Sequence, residues 1–497
     1  MSDPVTQPKS SIPEDADAHV ANAGYKQQFK RTLGHFESFA VAFSFISITT
    51  GLFSTFGVVL NSSGPAGIWT WPIATVGTIL VALVYGMLAS RIPLSGFSYQ
   101  WASRLVNPVV GWWFGWVSFA FLLSVTISVD YAFSQVALFP LLGWEYTPLT
   151  GAITTAVVMV VQAALIIWST PILTRINNAA VGAELIAMIG LIVMIAVAVI
   201  AAGNSDVGNI GNWTSTGVIP AEGYMGWLGP FMMAFLLGAY TLVGWESAAN
   251  LTEETKEPKK VIPKAMVRSL LVSGIVGTLF LMAISAGIGN DIEAISASTS
   301  PVADIIGRTV GHTLETIMLV VVCVAIFACG LVIMTSNSRL IYAMARDGRV
   351  PFAETFTKVP RATGGPIWAT VLAAAGAILI TLAFYANSDA LAGFLGAGTL
   401  MPAILYAATV ILYIATRHKF THHPDDFSLG KWEWPVVIGA CIWLFIELSI
   451  LIFPEDFRVA QLYAIGTLVV GGVVFAILWA TRREKLTREV GTDVDAL

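Results

Sequence analysis

Apolar runs of about 20 residues recur along most of this chain, and each is long enough to cross roughly 30 Å of hydrocarbon as a helix. Lipid offers backbone N–H and C=O groups no partners, so such segments close their hydrogen bonds internally as α-helices. With 11% charged residues against 56% hydrophobic ones, the 497-residue chain carries too little charge to cover a soluble surface. Twelve spans are predicted, at residues 36–60, 67–90, 109–138, 148–169, 176–202, 228–249, 267–289, 312–337, 366–386, 390–416, 433–453 and 457–480. The fold class is therefore all-α and membrane-embedded, with lipid as solvent.

The basic residues orient the loops. Lys26, Lys30 and Arg31 precede the first span; Lys256, Lys259, Lys260, Lys264 and Arg268 cluster before the seventh; Arg339, Arg346, Arg349, Lys358 and Arg361 follow the eighth. The alternate loops carry Glu145, Asp206, Glu222, Asp291 and Glu293, with Arg308 and Arg458 as basic exceptions. Lys and Arg collect on the cytoplasmic side, which places both termini there and the chain in an inner (plasma) membrane. The first 35 residues are polar and lack an apolar h-region, so a mobile tail without a cleavable signal is expected. Cys323, Cys329 and Cys441 fall within spans, where a thiol acts as a small hydrophobe, and they indicate neither a disulfide framework nor a metal site.

Two spans carry interruptions. Ser47-Ile48-Thr49-Thr50-Gly51 lies near the middle of the first, and Gly238-Ala239-Tyr240-Thr241-Leu242-Val243-Gly244 lies in the sixth. Breaks at the first and sixth positions are what two inverted five-helix repeats would carry around a midplane site. Alternatively these glycines only bring helices close together. The expected division is a tail at 1–35, a ten-helix core at 36–416, two accessory helices at 417–480 and a second tail at 481–497.

Several strings resemble the amino acid, polyamine and organocation transporters, and within them the amino acid/choline transporter branch. They are Gly24-Tyr25-Lys26-Gln27-Gln28-Phe29-Lys30-Arg31, Gly64-Pro65-Ala66 with Trp69 and Trp71, and Pro93-Leu94-Ser95-Gly96-Phe97-Ser98-Tyr99-Gln100-Trp101. Stronger still are the stretch from Gly244-Trp245-Glu246-Ser247 through Pro258 to Pro263, and Ser338-Arg339-Leu340-Ile341-Tyr342-Ala343-Met344-Ala345-Arg346-Asp347-Gly348-Arg349-Val350-Pro351. The resemblance implies a leucine-transporter-type fold with discontinuous helices one and six, and a permease activity.

By that resemblance, the N–H groups around Thr49, Thr50 and Gly51 face a substrate carboxylate, while carbonyls near Ser47 and from Ala239 to Val243, between Gly238 and Gly244, face its amine. Choline would use only the second set. Thr49-Thr50-Gly51 stands where amino acid permeases carry a Gly-Ser-Gly turn, a departure that bears on the carboxylate. Tyr240 occupies the place of an aromatic gate, able to cover an ammonium; the alternative is interfacial packing. Thr126 aligns with a substrate-contacting position, and Asp130, one turn on, either attracts a cation or sits near the membrane surface.

Glu246 either tethers the second half of span six or takes part in proton coupling. Glu184 falls where proton-coupled relatives carry lysine; it either loads a proton, or, ionised, holds Na⁺ or a substrate ammonium, or is kept neutral by neighbouring Ser and Thr hydroxyls. Thr335 and Ser336 are candidates for the same coupling pocket. Glu447, outside the ten-helix core, reads as packing or subunit contact, and His422, His423, Asp425 and Asp426 as a solvated turn rather than a metal site.

No Walker-type glycine loop is present, and His and Cys offer no convincing nucleophile–base set, so an enzyme is not expected. A secondary transporter for a small amine or amino acid is expected, symporter or exchanger, with H⁺ or Na⁺ as coupling ion, no cofactor and no nucleic-acid partner. γ-Aminobutyrate, choline, polyamines and other amino acids all remain open as substrates, as does the oligomeric state. A channel would show flux that does not saturate, and a sensor no accumulation.

Overall fold

The computed structural model describes residues 20–168, 170–202, 207–213, 229–298, 300–360, 364–420, 426–453 and 457–489. Its helices are α1 (His35–Ile46), α2 (Ile48–Ser63), α3 (Thr70–Arg91), α4 (Phe97–Leu105), α5 (Pro108–Ala132), α6 (Pro148–Trp168) and α7 (Thr170–Ala202). There follow α8 (Gly229–Ala234), α9 (Leu236–Thr241), α10 (Ser247–Asn250), α11 (Pro258–Gly287), α12 (Ile292–Ser296), α13 (Pro301–Val310) and α14 (His312–Arg346). The last are α15 (Ala353–Phe356), α16 (Ile367–Phe384), α17 (Ser388–Thr416), α18 (Glu433–Ile452) and α19 (Arg458–Thr487).

Among the described residues, eleven helices or helix pairs are long and apolar enough to cross a membrane. The twelfth predicted span, the sixth in order, is too short to count, because it is broken into α8, α9 and α10. Lipid-facing stripes are plain on α7, where Ile186, Ile189, Val193, Val197 and Ile200 are exposed at helical spacing, and on α19 with Leu462, Ile465, Val469, Val473 and Ile477. In water such stripes would be bare apolar patches.

Several boundaries differ from expectation, for one reason. Hydropathy ends where polar residues begin, but a helix continues while its hydrogen bonds do. α11 starts at Pro258, well before residue 267, with proline at its first position, where no N–H is needed. α14 continues past 337 to Arg346, its 35 residues spanning about 52 Å at 1.5 Å each, so its end projects beyond the hydrocarbon. α19 likewise reaches Thr487, with a kink at Arg482, so residues 481–487 are helical rather than tail.

The expected mobile tail is corrected in part. Residues 20–34 are packed on the basic side of the bundle: Thr32 and Leu33 donate N–H groups to the Glu254 carbonyl at 2.9 and 3.0 Å, and Lys256 N–H returns to Leu33 O at 2.8 Å. Residues 1–19 lie outside the described part, as do Arg361, His422, His423 and Asp425. Asp426 is described and is no solvated turn: its buried carboxylate lies 3.6 Å from Lys259 Nζ.

Close packing beside the broken helices rests on glycine. α11 meets α3 at Gly274 and Gly277, where a Cβ would run into Thr75 and Trp71, and Trp71 Nε1 donates to Gly274 O at 3.1 Å. Glu447 of α18 is buried within its own chain, as the packing reading expects.

Candidate functional site

The first break is a single residue. Ser47 adopts a left-handed conformation (φ 38°, ψ 87°), closing α1 with its N–H on Phe43 O at 2.9 Å, and α2 begins at Ile48. Thr49, Thr50 and Gly51 are thus the first turn of a helix, not an unwound stretch as the sequence suggested. The consequence is chemical: the last carbonyls of α1 and the first N–H groups of α2 lose their helical partners in the middle of a membrane span. Cys329 Sγ donates to the Phe45 carbonyl at 3.2 Å. Glu184 of α7 accepts on one oxygen from Thr49 N–H at 3.0 Å, Thr49 Oγ1 at 2.7 Å and Ser47 Oγ at 3.5 Å. Its carboxylate therefore sits at the positive end of α2, among the Ser and Thr hydroxyls expected of it.

The second break begins later than expected. Gly238, Ala239 and Tyr240 are helical in α9, and Gly238 packs on Ala74 rather than opening the span. The chain leaves helical geometry at Leu242 and turns at Gly244, whose φ is +84°. Gly244 N–H donates to Tyr406 Oη at 3.1 Å, and Tyr406 in turn donates to Glu246 at 2.7 Å. Glu246 is thereby tethered to α17 through Tyr406.

The two breaks pack on each other. A Cβ on Gly51 would collide with the Thr241 side chain, and one on Gly244 would collide with the Phe45 ring. Between them lies a small chamber walled by Ile46, Thr50 and Gly51 from the first span and Tyr240, Thr241 and Val243 from the sixth. Phe45 of α1, Val125 and Val129 of α5, Cys329 of α14 and Gly398 of α17 complete it. Its volume here is about 20 Å³, room for one water or so.

Beyond the chamber a vestibule of about 430 Å³ opens, lined by Ser54, Thr55 and Val58 of α2, Ser128 and Tyr131 of α5, and Leu236 of α9. Tyr240 lines both spaces and is the wall between them. α2 runs away from the Leu33–Thr255 bridge, so the vestibule opens on the side opposite the basic loops.

On the basic side the bundle is sealed. Arg346 forms a two-pronged pair with Glu253 at 2.9 and 3.0 Å, and Ser95 N–H donates to the same carboxylate at 3.2 Å. Arg339 pairs with Glu254 at 2.9 Å, and the Arg346 guanidinium lies 3.6 Å from the centre of the Tyr25 ring. Tyr25 donates to Asp347 at 2.7 Å, and Tyr99 donates to its other oxygen. Burial, together with the Asp347 charge, pushes the Tyr25 phenol up to about 12, so it remains a donor in this contact. Arg339 and Arg346, expected in a loop, belong to a helix, Arg339 buried and Arg346 partly so.

Other expected site residues stand apart from the chamber. Thr126 bonds back to Leu122 O at 2.8 Å, while its neighbours Val125 and Val129 form the wall. Asp130 is fully buried and turns instead to Gln162 of α6, neither reaching the chamber nor the membrane surface. Thr335 bonds back to Leu331 O at 2.7 Å, and the buried Ser336 hydroxyl has no partner among the described residues. Phe45, Thr241, Cys329, Gly398 and Tyr406 went unnamed as site residues; only Thr241, inside the glycine-bounded string, carried a signal.

The profile of the amino acid permease family matches residues 33–475 of the chain. The chain is similar to the amino-acid permease BAT1 of Arabidopsis thaliana, 27% identical, with 88% of each chain covered. It is similar to that protein's homolog in Oryza sativa subsp. japonica, 28% identical with 89% of each covered, and to the GABA-specific permease of Saccharomyces cerevisiae, 25% identical with 88% of this chain and 78% of the yeast one.

Proposed function

The chain belongs to the amino acid permease family, and from that premise we propose that it is a secondary active transporter moving a small amine or amino acid by alternating access, driven by an H⁺ or Na⁺ gradient. The observation that carries this reading is the pairing of two helix breaks around a chamber that Tyr240 separates from a vestibule, with an ion-paired seal on the opposite side. The two breaks are read as belonging to inverted repeats that rock about this chamber. The basic loops support placing the sealed side in the cytoplasm and the chain in a plasma membrane.

The amine end of the substrate is assigned to the carbonyls left by α1 and α9, below the Tyr240 ring. Glu184 already takes the Thr49 N–H, which leaves less of the α2 N-terminus for a substrate carboxylate and favours recognition through the amine. The yeast relative's printed name makes γ-aminobutyrate the first tracer to try. In proteoliposomes the reading expects saturable uptake and counterflow for at least one member of a panel of γ-aminobutyrate, choline, polyamines and amino acids. Flux that never saturates, or none for any member, would overturn it. Gradient-driven accumulation separates symport from exchange.

Two variants follow. Tyr240→Ala should weaken amine binding by about 0.5–2 kcal/mol, roughly 2- to 30-fold in Kd, through loss of the ring over the ammonium. Titration calorimetry checks this, and an unchanged affinity refutes the gate assignment. Glu184→Gln should reduce gradient-driven accumulation more than substrate binding, since it removes the ionisable carboxyl next to the chamber while keeping the shape; equal accumulation by both proteins disposes of a coupling role.

A further inference from the structure

Buried carboxyls can be read by counting the donors around them. Glu184 receives donors from Ser47 and Thr49, an arrangement that suits an anion. Asp130 is its opposite. It is fully buried between α5, α6 and α14, and its Oδ1 accepts from Gln162 Nε2 at 2.7 Å. Its other oxygen, Oδ2, has no partner among the described residues, and neither has Gln162 Oε1. Gln162 Nε2 also reaches the Phe327 carbonyl at 3.2 Å, and Thr155 Oγ1 the Asp130 carbonyl at 3.3 Å. Around one carboxyl and one amide, acceptors outnumber donors, and both orphans are buried where water cannot correct the shortage.

We propose that Asp130 and Gln162 form a proton-binding site, separate from the substrate chamber, that holds its proton in the state seen here. A proton taken from water onto Asp130 Oδ2 supplies the missing donor. The acid O–H then bonds Gln162 Oε1 while the amide N–H bonds Oδ1, and both orphans are satisfied together. A hard metal cation takes about six oxygens, and this pair offers two free ones, so a proton fits the stoichiometry better. The arrangement is built: a Cβ at Gly330 of α14 would strike both Asp130 and Gln162, so only glycine there lets α14 close over the pair.

The site borders the chamber through Val129 of α5, beside Asp130, and Cys329 of α14, beside Gly330. Cys329 lies in the field of both Glu184 and Asp130. α6 presents Gln162 and Thr155, neither of which titrates, so the Cys329 thiol of α14 is the titratable neighbour that this proton meets. Movement of α14 against α5 and α6 would part the pair and release the proton to water on the side then open. This inference rests on the transport reading above for its purpose, but not for its existence.

The test is infrared spectroscopy of the purified full-length protein at neutral pH, in the region of the protonated carboxyl C=O stretch. The wild type should show a band that Asp130→Asn loses and that Gln162→Leu shifts to higher frequency as the acid loses its partner. Superimposable spectra of the wild type and Asp130→Asn in this region would overturn the proposal. Asp130→Asn supplies an N–H donor in place of the acid and should keep the wild-type melting temperature, which makes misfolding visible if it occurs. In proteoliposomes loaded in turn with labelled γ-aminobutyrate, choline, a polyamine and amino acids, Asp130→Asn should retain counterflow of whichever of these the wild type exchanges and lose its response to a pH gradient; an undiminished response contradicts a proton-carrying role. Absence of counterflow in the wild type would instead count against the transport reading, and the infrared result would stand by itself.

Discussion

Gly244→Val should reduce substrate uptake to background while the protein still inserts and elutes as a single species. The backbone at Gly244 has φ +84°, and a β-branched residue held there costs about 1–2 kcal/mol. Its side chain would also meet the Phe45 ring of the first break, since even a Cβ collides with it, and overpacking adds about 1–3 kcal/mol. The sum, about 2–5 kcal/mol, is about 1.5 to 3.5 decades in population at about 1.4 kcal/mol per decade, and it falls on one of the two contacts through which the breaks pack on each other. Gly472→Ala on α19, where nothing lies within 4 Å, is the control and should transport normally. Normal uptake by Gly244→Val would mean that the two breaks need not touch.

Glu253→Gln should shift the protein out of the sealed state. The Glu253 side chain is 0% exposed and that of Arg346 9%, so the pair exists at low dielectric and its loss strands a guanidinium. Breaking such a pair on one side costs about 3–5 kcal/mol, or about 10²- to 4 × 10³-fold in the balance between sealed and open. Opening hydrates Arg346, so the cost falls on the sealed state alone. Tyr25, which stacks on the same guanidinium, should become more accessible together with the rest of residues 20–34.

Much of this arrangement was legible from residues alone, and what was not has a physical cause. The Ser-Ile-Thr-Thr-Gly string marked the first break because polar and β-branched residues are out of place amid an apolar span. The glycine-bounded string marked the second, yet Gly238 turned out to pack on Ala74 while the turn itself used Gly244. Glycine serves both purposes, and the sequence does not distinguish them. Which face of α5 meets the chamber was misleading for a related reason: polar Thr126 and Asp130 stand out in an apolar span, yet Thr126 bonds back to Leu122 O and Asp130 takes Gln162, while apolar Val125 and Val129 line the chamber. The seal was hidden by distance, since Glu253 and Glu254 find Arg346 and Arg339 about 90 residues away and nothing local announces the pairing. Charge counting grouped those arginines with the other basic segments but assigned them to water, whereas they end a helix and pair with Glu253 and Glu254.

The central claim is that one chamber is reached alternately from two sides, and it can be tested without knowing the substrate. Val58 lines the vestibule and is half-buried on α2. With Cys323, Cys329 and Cys441 replaced, Val58→Cys gives a single reporter for a membrane-impermeant thiol reagent added from the vestibule side. With the Arg346–Glu253 pair intact the reporter should label readily, and in combination with Glu253→Gln its rate should fall about tenfold or more as opening of the seal closes the vestibule. The same labelling rate with the seal intact and broken would contradict alternating access.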